Sequence, residues 1–173
     1  TLSARWEYLA AKNPDLKASA FMLILDDGRY AEMSPNIHLP AASSIKAPIL
    51  LVVLKMLDEN KLLWNESLTL TEEVIGGGAG WMSLRSLGTT FPLHEVATEM
   101  IRVSDNTATN LLIKRIGGKK VLNEYLNNLG LNATFVRNWL PDLKGTNTTS
   151  ALDLSQTIAM VDNGEVLSRR SRD

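Results

Sequence analysis

Ser43-Ser44-Ile45-Lys46-Ala47-Pro48-Ile49-Leu50-Leu51-Val52-Val53-Leu54-Lys55-Met56-Leu57-Asp58-Glu59-Asn60 is the stretch on which the fold turns. From Ile49 to Leu54 every residue is apolar, which leaves no face for water, and the one helix breaker, Pro48, falls near the first turn, where proline is tolerated. The stretch reads as a buried helix, so other elements must pack around it.

Upstream, Leu2, Trp6, Leu9 and Ala10 recur at helical spacing until Asn13-Pro14, which predicts a short amphipathic helix. Ala20 to Leu25 is a continuous apolar run, broken by Asp26-Asp27-Gly28 before Arg29 to Met33. That pattern is a β-hairpin whose first strand is expected to be buried on both faces. Pro35 and Pro40 make the following segment a loop. Downstream, Gly76-Gly77-Gly78-Ala79-Gly80 reads as a flexible connector. Helices are expected over Leu93–Val103, over Asn106–Ile116 ended by Gly117-Gly118, and over Lys119–Leu129 ended by Gly130. Residues 137–149 have no regular period and form a long surface loop, and a last helix starts at Ser150 and runs to about Asp162.

The strands do not balance. A strand apolar on both faces needs neighbours and cover, and only Leu68-Thr69-Leu70-Thr71 and Thr134-Phe135-Val136 are otherwise strand-like. The expectation is one incomplete domain over residues 1–173, with helix and hairpin in 1–40 and a helical region in 41–165. Its remaining strands would lie beyond Asp173, supplied by a C-terminal piece or a second chain. The charged Ser168–Asp173 end reads either as a solvated helix start or as a place where a chain is cut.

Composition narrows the function. The 173 residues are 45% apolar, enough for one ordinary core, and 18 Lys+Arg against 19 Asp+Glu give a net charge of -1, so nucleic acid is not an expected partner. No apolar run approaches the ~20 residues of a membrane span. With no Cys there is neither a disulfide nor a thiolate site. His38 and His94 are the only histidines and neither lies near a Gly-x-Ser-x-Gly turn. His94-Glu95 begins a zinc signature, but Thr98 stands where the second histidine belongs. No metal and no cofactor are predicted. The glycine run lacks the ending of a phosphate loop.

What remains is Ser43-Ser44-Ile45-Lys46 and, 61 residues after Ser43, Ser104-Asp105-Asn106. Residues i and i+3 of a helix share a face, so Lys46 can reach the Ser43 hydroxyl. Burial and the helix N-terminus both disfavour the ammonium, which favours a lysine able to take a proton, and N–H groups at that end can hold an oxyanion. Alone, the first segment also reads as a capping serine with a snorkelling lysine, and the second as a capping turn. Together they supply a nucleophile, a base, a second hydroxyl and an amide.

These blocks, with the neighbours Ala47-Pro48 and Met100 to Leu112, resemble the penicillin-recognising serine enzymes, and among them the class A β-lactamases. The resemblance covers nearly the whole chain. It implies an α/β (α+β) sandwich of the β-lactamase/transpeptidase type, with an antiparallel sheet packed beside a helical region. It further implies that Ser43 is acylated, that Lys46 is its activating base or proton relay, that Ser104 shuttles a proton to the lactam nitrogen, and that Asn106 contacts the substrate amide. Asp105 is then structural. Trp81 resembles a site-rim position; its other reading is a partly buried loop aromatic. The implied substrate is a β-lactam or a peptidoglycan-like acyl compound, and the implied compartment periplasmic or secreted.

Two features depart from that pattern. The third family motif, Lys-Thr-Gly on an inner strand, is absent, as are the strands that would carry it. The loop that carries the family's deacylating Glu reads Arg137-Asn138-Trp139-Leu140-Pro141-Asp142-Leu143-Lys144, and no Glu occurs between Glu124 and Glu165. Asp142 is the available loop base, one methylene shorter. Slow deacylation is expected, and a penicillin-binding-like peptidase or esterase, or a non-catalytic binding protein, competes with a true lactamase.

Overall fold

The computed structural model describes residues 1–172. Helix α2 (Lys46–Asp58) runs through the core, entered through a 3-10 turn at Ala42–Ile45. Ile49, Val52 and Val53 on it are fully buried, which accounts for an apolar run without a polar face. Around it pack α3 (Leu93–Arg102), α4 (Asn106–Ile116), α5 (Gly118–Asn128) and α6 (Ala151–Asn163). They contribute Leu93, Val96 and Met100, then Leu112 and Ile113, then Leu122 and Leu126, to one apolar cluster. Each such side chain stabilises the fold by about 1.5–3 kcal/mol when withdrawn from water.

The helix ends follow local chemistry. Asp105 caps α4, accepting from the Ala108 N–H, and Ser150 caps α6, accepting from the Asp153 N–H. Short α7 (Arg169–Arg172) is held by Asp58, whose carboxylate accepts from Ser168 N, Ser168 Oγ and Ser171 Oγ at 2.6–2.7 Å. Asp173, the last residue of the charged end, lies outside the described residues.

The strands form three antiparallel pairs. β1 (Ala20–Leu23) and β2 (Tyr30–Met33) make the expected hairpin in the register Ala20↔Met33, with the Phe21 and Tyr30 rings stacked 5.9 Å apart. α1 (Leu2–Ala11) packs on β2 and α6 on β1. The first strand is not buried on both faces: Met22 is exposed and its neighbours half-buried. β3 (Leu39–Pro40) pairs with β6 (Thr148–Thr149), tying the chain just before Ser43 to the end of the 137–149 loop, and the Ala41 N–H donates to Asn147 O at 2.8 Å. β4 (Ser67–Thr69) pairs with β5 (Thr90–Pro92), a partner the sequence reading did not supply. Among the described residues no helix is long and apolar enough to cross a membrane.

Candidate active site

Ser43 is exposed, in the 3-10 turn, while Lys46 one turn on opens α2 and is buried at 3% exposure. Ser104 occupies the short turn between α3 and α4, and Asn106 begins α4. The structure brings these four side chains together. Lys46 Nζ donates to Ser104 O at 2.5 Å, Ser104 Oγ at 2.8 Å and Asn106 Oδ1 at 2.9 Å, and lies 3.5 Å from Ser43 Oγ. Ser104 Oγ donates to Ser43 Oγ at 3.0 Å, so the two hydroxyls and the amine form a triangle.

The charge state of Lys46 follows from its surroundings. Burial pushes its pKa down to about 8, and the carboxylate of Asp105 opposes that fall. Two of its partners, the Ser104 carbonyl and Asn106 Oδ1, can only accept. A neutral amine satisfies both with its two N–H bonds and turns its lone pair toward the serines. In that form Lys46 can take a proton from Ser43, directly or through Ser104.

Asn106 is fixed at both ends, because its Nδ2 donates to Gly77 O at 2.8 Å while its Oδ1 faces the lysine. Its amide is thereby engaged inside the protein. Asp105, fully buried, accepts from Ala108 N, Trp81 N and Met82 N at 2.7–2.9 Å. Between Asp105 and Asn106 on one side and the glycine run on the other there is no slack: Asn106 N donates to Ala79 O, and Gly76 N donates to Thr107 Oγ1. A Cβ on Gly80, at φ +89, would overlap the Asp105 carboxyl, and one on Gly76 would meet Leu140 O. Residues 76–80 are therefore a packed strap and not the flexible connector expected. Close approach requires glycine at Gly76 and Gly80, whereas a Cβ on Gly77 would meet nothing within 4 Å. Ser104 itself sits at φ +58, a left-handed conformation costly for a serine that this packing enforces.

Trp81 and Asp142 do not hydrogen-bond this quartet. The Trp81 indole N–H donates to Glu99 Oε2 at 2.6 Å, and its ring meets Phe91 edge-on, with Arg85 over its face. Asp142 is turned into its own loop, accepting from Thr146 Oγ1 at 2.9 Å and Asn147 N at 2.6 Å. Burial works against its ionisation, but these bonds hold its carboxyl below the usual range. The loop is further stapled by Asn147, whose Oδ1 accepts from Arg137 N and Asn138 N, and by Asn110, which bonds both N and O of Leu140. Glu99 and Asn110 were not singled out from the sequence; Glu99-x-x-Arg102 resembles an ordinary surface ion pair there. Among the described residues no cluster of three His, Asp or Glu could hold a metal ion.

A helical core flanked by an antiparallel hairpin, with a serine-lysine-serine cluster at the head of its central helix, is the arrangement that the resemblance to the penicillin-recognising serine enzymes implies. The chain belongs to the beta-lactamase enzyme family, whose model matches residues 1–173. It is similar to the solved structure of PBP-A, with 40% identity, a TM-score of 0.96, 99% of this chain covered and 65% of that one. A PBP-A mutant, solved as an acyl-enzyme complex with penicillin G, matches at 39% identity and a TM-score of 0.96 over 99% of this chain and 65% of its own. The beta-lactamase of Bacillus licheniformis is 29% identical over 147 residues, 85% of this chain and 47% of that protein. The chain spans about half or less of the length of curated relatives it matches, 47%, 37% and 45%.

Proposed function

We propose that the protein is a serine acyl-enzyme former whose Ser43 is acylated by β-lactams and whose acyl-enzyme hydrolyses slowly. Ser43 Oγ attacks the lactam carbonyl carbon while its proton passes to neutral Lys46, through Ser104 or directly. The lactam C–N bond then breaks and the ring nitrogen receives a proton from Ser104, which Lys46 replenishes. The observation that carries this reading is the Lys46 amine, buried, bonded to two obligate acceptors and facing both hydroxyls. Trp81 serves the site's wall in this reading, and Asn106 holds Lys46 until a substrate amide competes for it.

Slow hydrolysis follows from the loop. It contains no Glu, and both oxygens of Asp142 are committed within it, so no carboxylate is free to align a water. For that reason a penicillin-binding-like peptidase or esterase is the second reading, supported by the likeness to PBP-A. Either activity calls for a further donor to the oxyanion. We propose that it comes from a strand-bearing segment, of the same polypeptide or a second chain, that also covers the apolar groove of about 1060 Å³ lined by Leu50, Leu54, Ile101 and Ile158. Stopped-flow absorbance of a chromogenic cephalosporin tests the function: a burst of one equivalent and then a slow phase is expected, and fast steady turnover without a burst would overturn it.

A further inference from the structure

Glu99 is a buried acid that the proposed chemistry does not use. Its side chain, on α3, is 8% exposed. Its Oε2 accepts from the Trp81 indole N–H at 2.6 Å and from Arg102 at 2.7 Å, and its Oε1 accepts from Arg102 Nε at 2.8 Å. Arg102 first, and then the indole, hold its carboxyl below the usual range against the effect of burial.

The same residue grips the turn that carries Ser104 from a second direction. The Glu99 carbonyl accepts from Val103 N at 3.3 Å and from Asp105 N at 3.2 Å. Trp81, held by the Glu99 carboxylate, donates its backbone N–H to Asp105 Oδ2 at 2.7 Å. A closed ring results: Glu99 carboxylate, Trp81 indole, Trp81 backbone, Asp105 carboxylate, Asp105 backbone, Glu99 carbonyl. Ser104 sits on the rim of that ring at φ +58, between Val103 and Asp105. A strained residue persists only where its surroundings over-determine it, and both of its chain neighbours are bonded to Glu99.

We propose that Glu99 is a positioning residue that acts through Trp81 and Asp105 to hold the Ser104 carbonyl and hydroxyl on Lys46 and Ser43. The proposal rests on the acylation reading for its consequence and not for its geometry. Releasing the ring lets Ser104 relax toward ordinary φ, which withdraws the 2.5 Å and 2.8 Å contacts to Lys46 and lengthens the proton path. Arg102 is the exposed clamp that keeps the carboxylate charged and aimed inward.

The test compares Glu99→Leu, Glu99→Gln and Trp81→Phe in the full-length protein, with the strand-bearing segment proposed above present. Gln keeps an oxygen for the indole; Leu removes it; Phe removes the donor and leaves Glu99 with Arg102. Acylation by penicillin G is resolved into its dissociation constant and its first-order acylation constant. Leu and Phe are expected to lower the acylation constant about ten- to a hundredfold, the scale set by a displacement of about 1 Å at a reacting group. The dissociation constant should move less than about threefold, and Gln should recover the acylation constant to within about threefold. A folded Glu99→Leu that acylates as fast as the parent, or a Gln variant as slow as Leu, would overturn the proposal. Backbone amide resonances of Ser104 and Asn106 supply a readout independent of chemistry: they shift with Leu and Phe and hold with Gln. If the parent is not acylated and the resonances follow this pattern, the acylation reading fails and the positioning stands. If the parent is acylated and they do not, the positioning is refuted.

Discussion

Acylation of Ser43 should depend on pH through Lys46. The amine serves as a base only when neutral, and burial lowers its pKa to about 8, with Asp105 limiting the fall. At pH 7 about a tenth of Lys46 is then neutral, whereas an ordinary lysine at 10.5 would be neutral about 0.03% of the time, so the site holds roughly 300-fold more base. Raising the pH removes the proton, so the rate rises about tenfold from pH 6 to 7, about tenfold again from 7 to 9, and levels off above that. The assay is stopped-flow acylation by a cephalosporin chromophore across this range, with Lys46→Arg beside the parent. Arginine stays charged at every accessible pH and should slow acylation by roughly 10²–10⁴-fold. A flat profile between pH 6 and 9, or an inflection near 10.5, would refute the assignment of Lys46 as base.

Ser104→Ala leaves only the 3.5 Å separation between Lys46 and Ser43, and acylation should fall about 10²-fold with little change in noncovalent binding, measured by the same stopped-flow traces. Asp142→Asn should leave the slow hydrolytic phase unchanged, because both oxygens serve the loop; a phase slowed tenfold or more would make Asp142 the base. Gly80→Ala sets a Cβ against the Asp105 carboxyl at φ +89 and should cost about 2–4 kcal/mol in urea unfolding, whereas a loss below about 0.5 kcal/mol would contradict the packed strap.

Much of this architecture is legible in the sequence, for identifiable reasons. The run Ile49–Leu54 with Pro48 announces a central buried helix, and Asp105 with Gly117 brackets α4. Ser43 and Lys46 lie within reach because the spacing of three residues, across the 3-10 turn that enters α2, fixes their relation. Ser104 is different: nothing local brings a residue 61 positions away against Ser43, and only the joint reading of the two blocks and the family resemblance suggested it. The β4–β5 pair escaped because Thr90-Phe91-Pro92 is three residues long and gains its pairing from packing. The glycine strap escaped because close approach is a relation between two segments, and a glycine run alone is indistinguishable from a loose linker. The inward aim of Glu99 and of the Asp142 carboxylate is equally non-local, set by Trp81 in one case and by Thr146 and Asn147 in the other.

The most direct measurement of the central claim is intact mass followed by peptide mapping after incubation with penicillin G, on the parent and on Ser43→Ala. Opening the lactam expels nothing, so the parent should gain the full mass of the penicillin, located on the peptide that contains Ser43, and Ser43→Ala should gain nothing. An adduct that persists in Ser43→Ala, or a parent that gains no mass at all, would contradict the account.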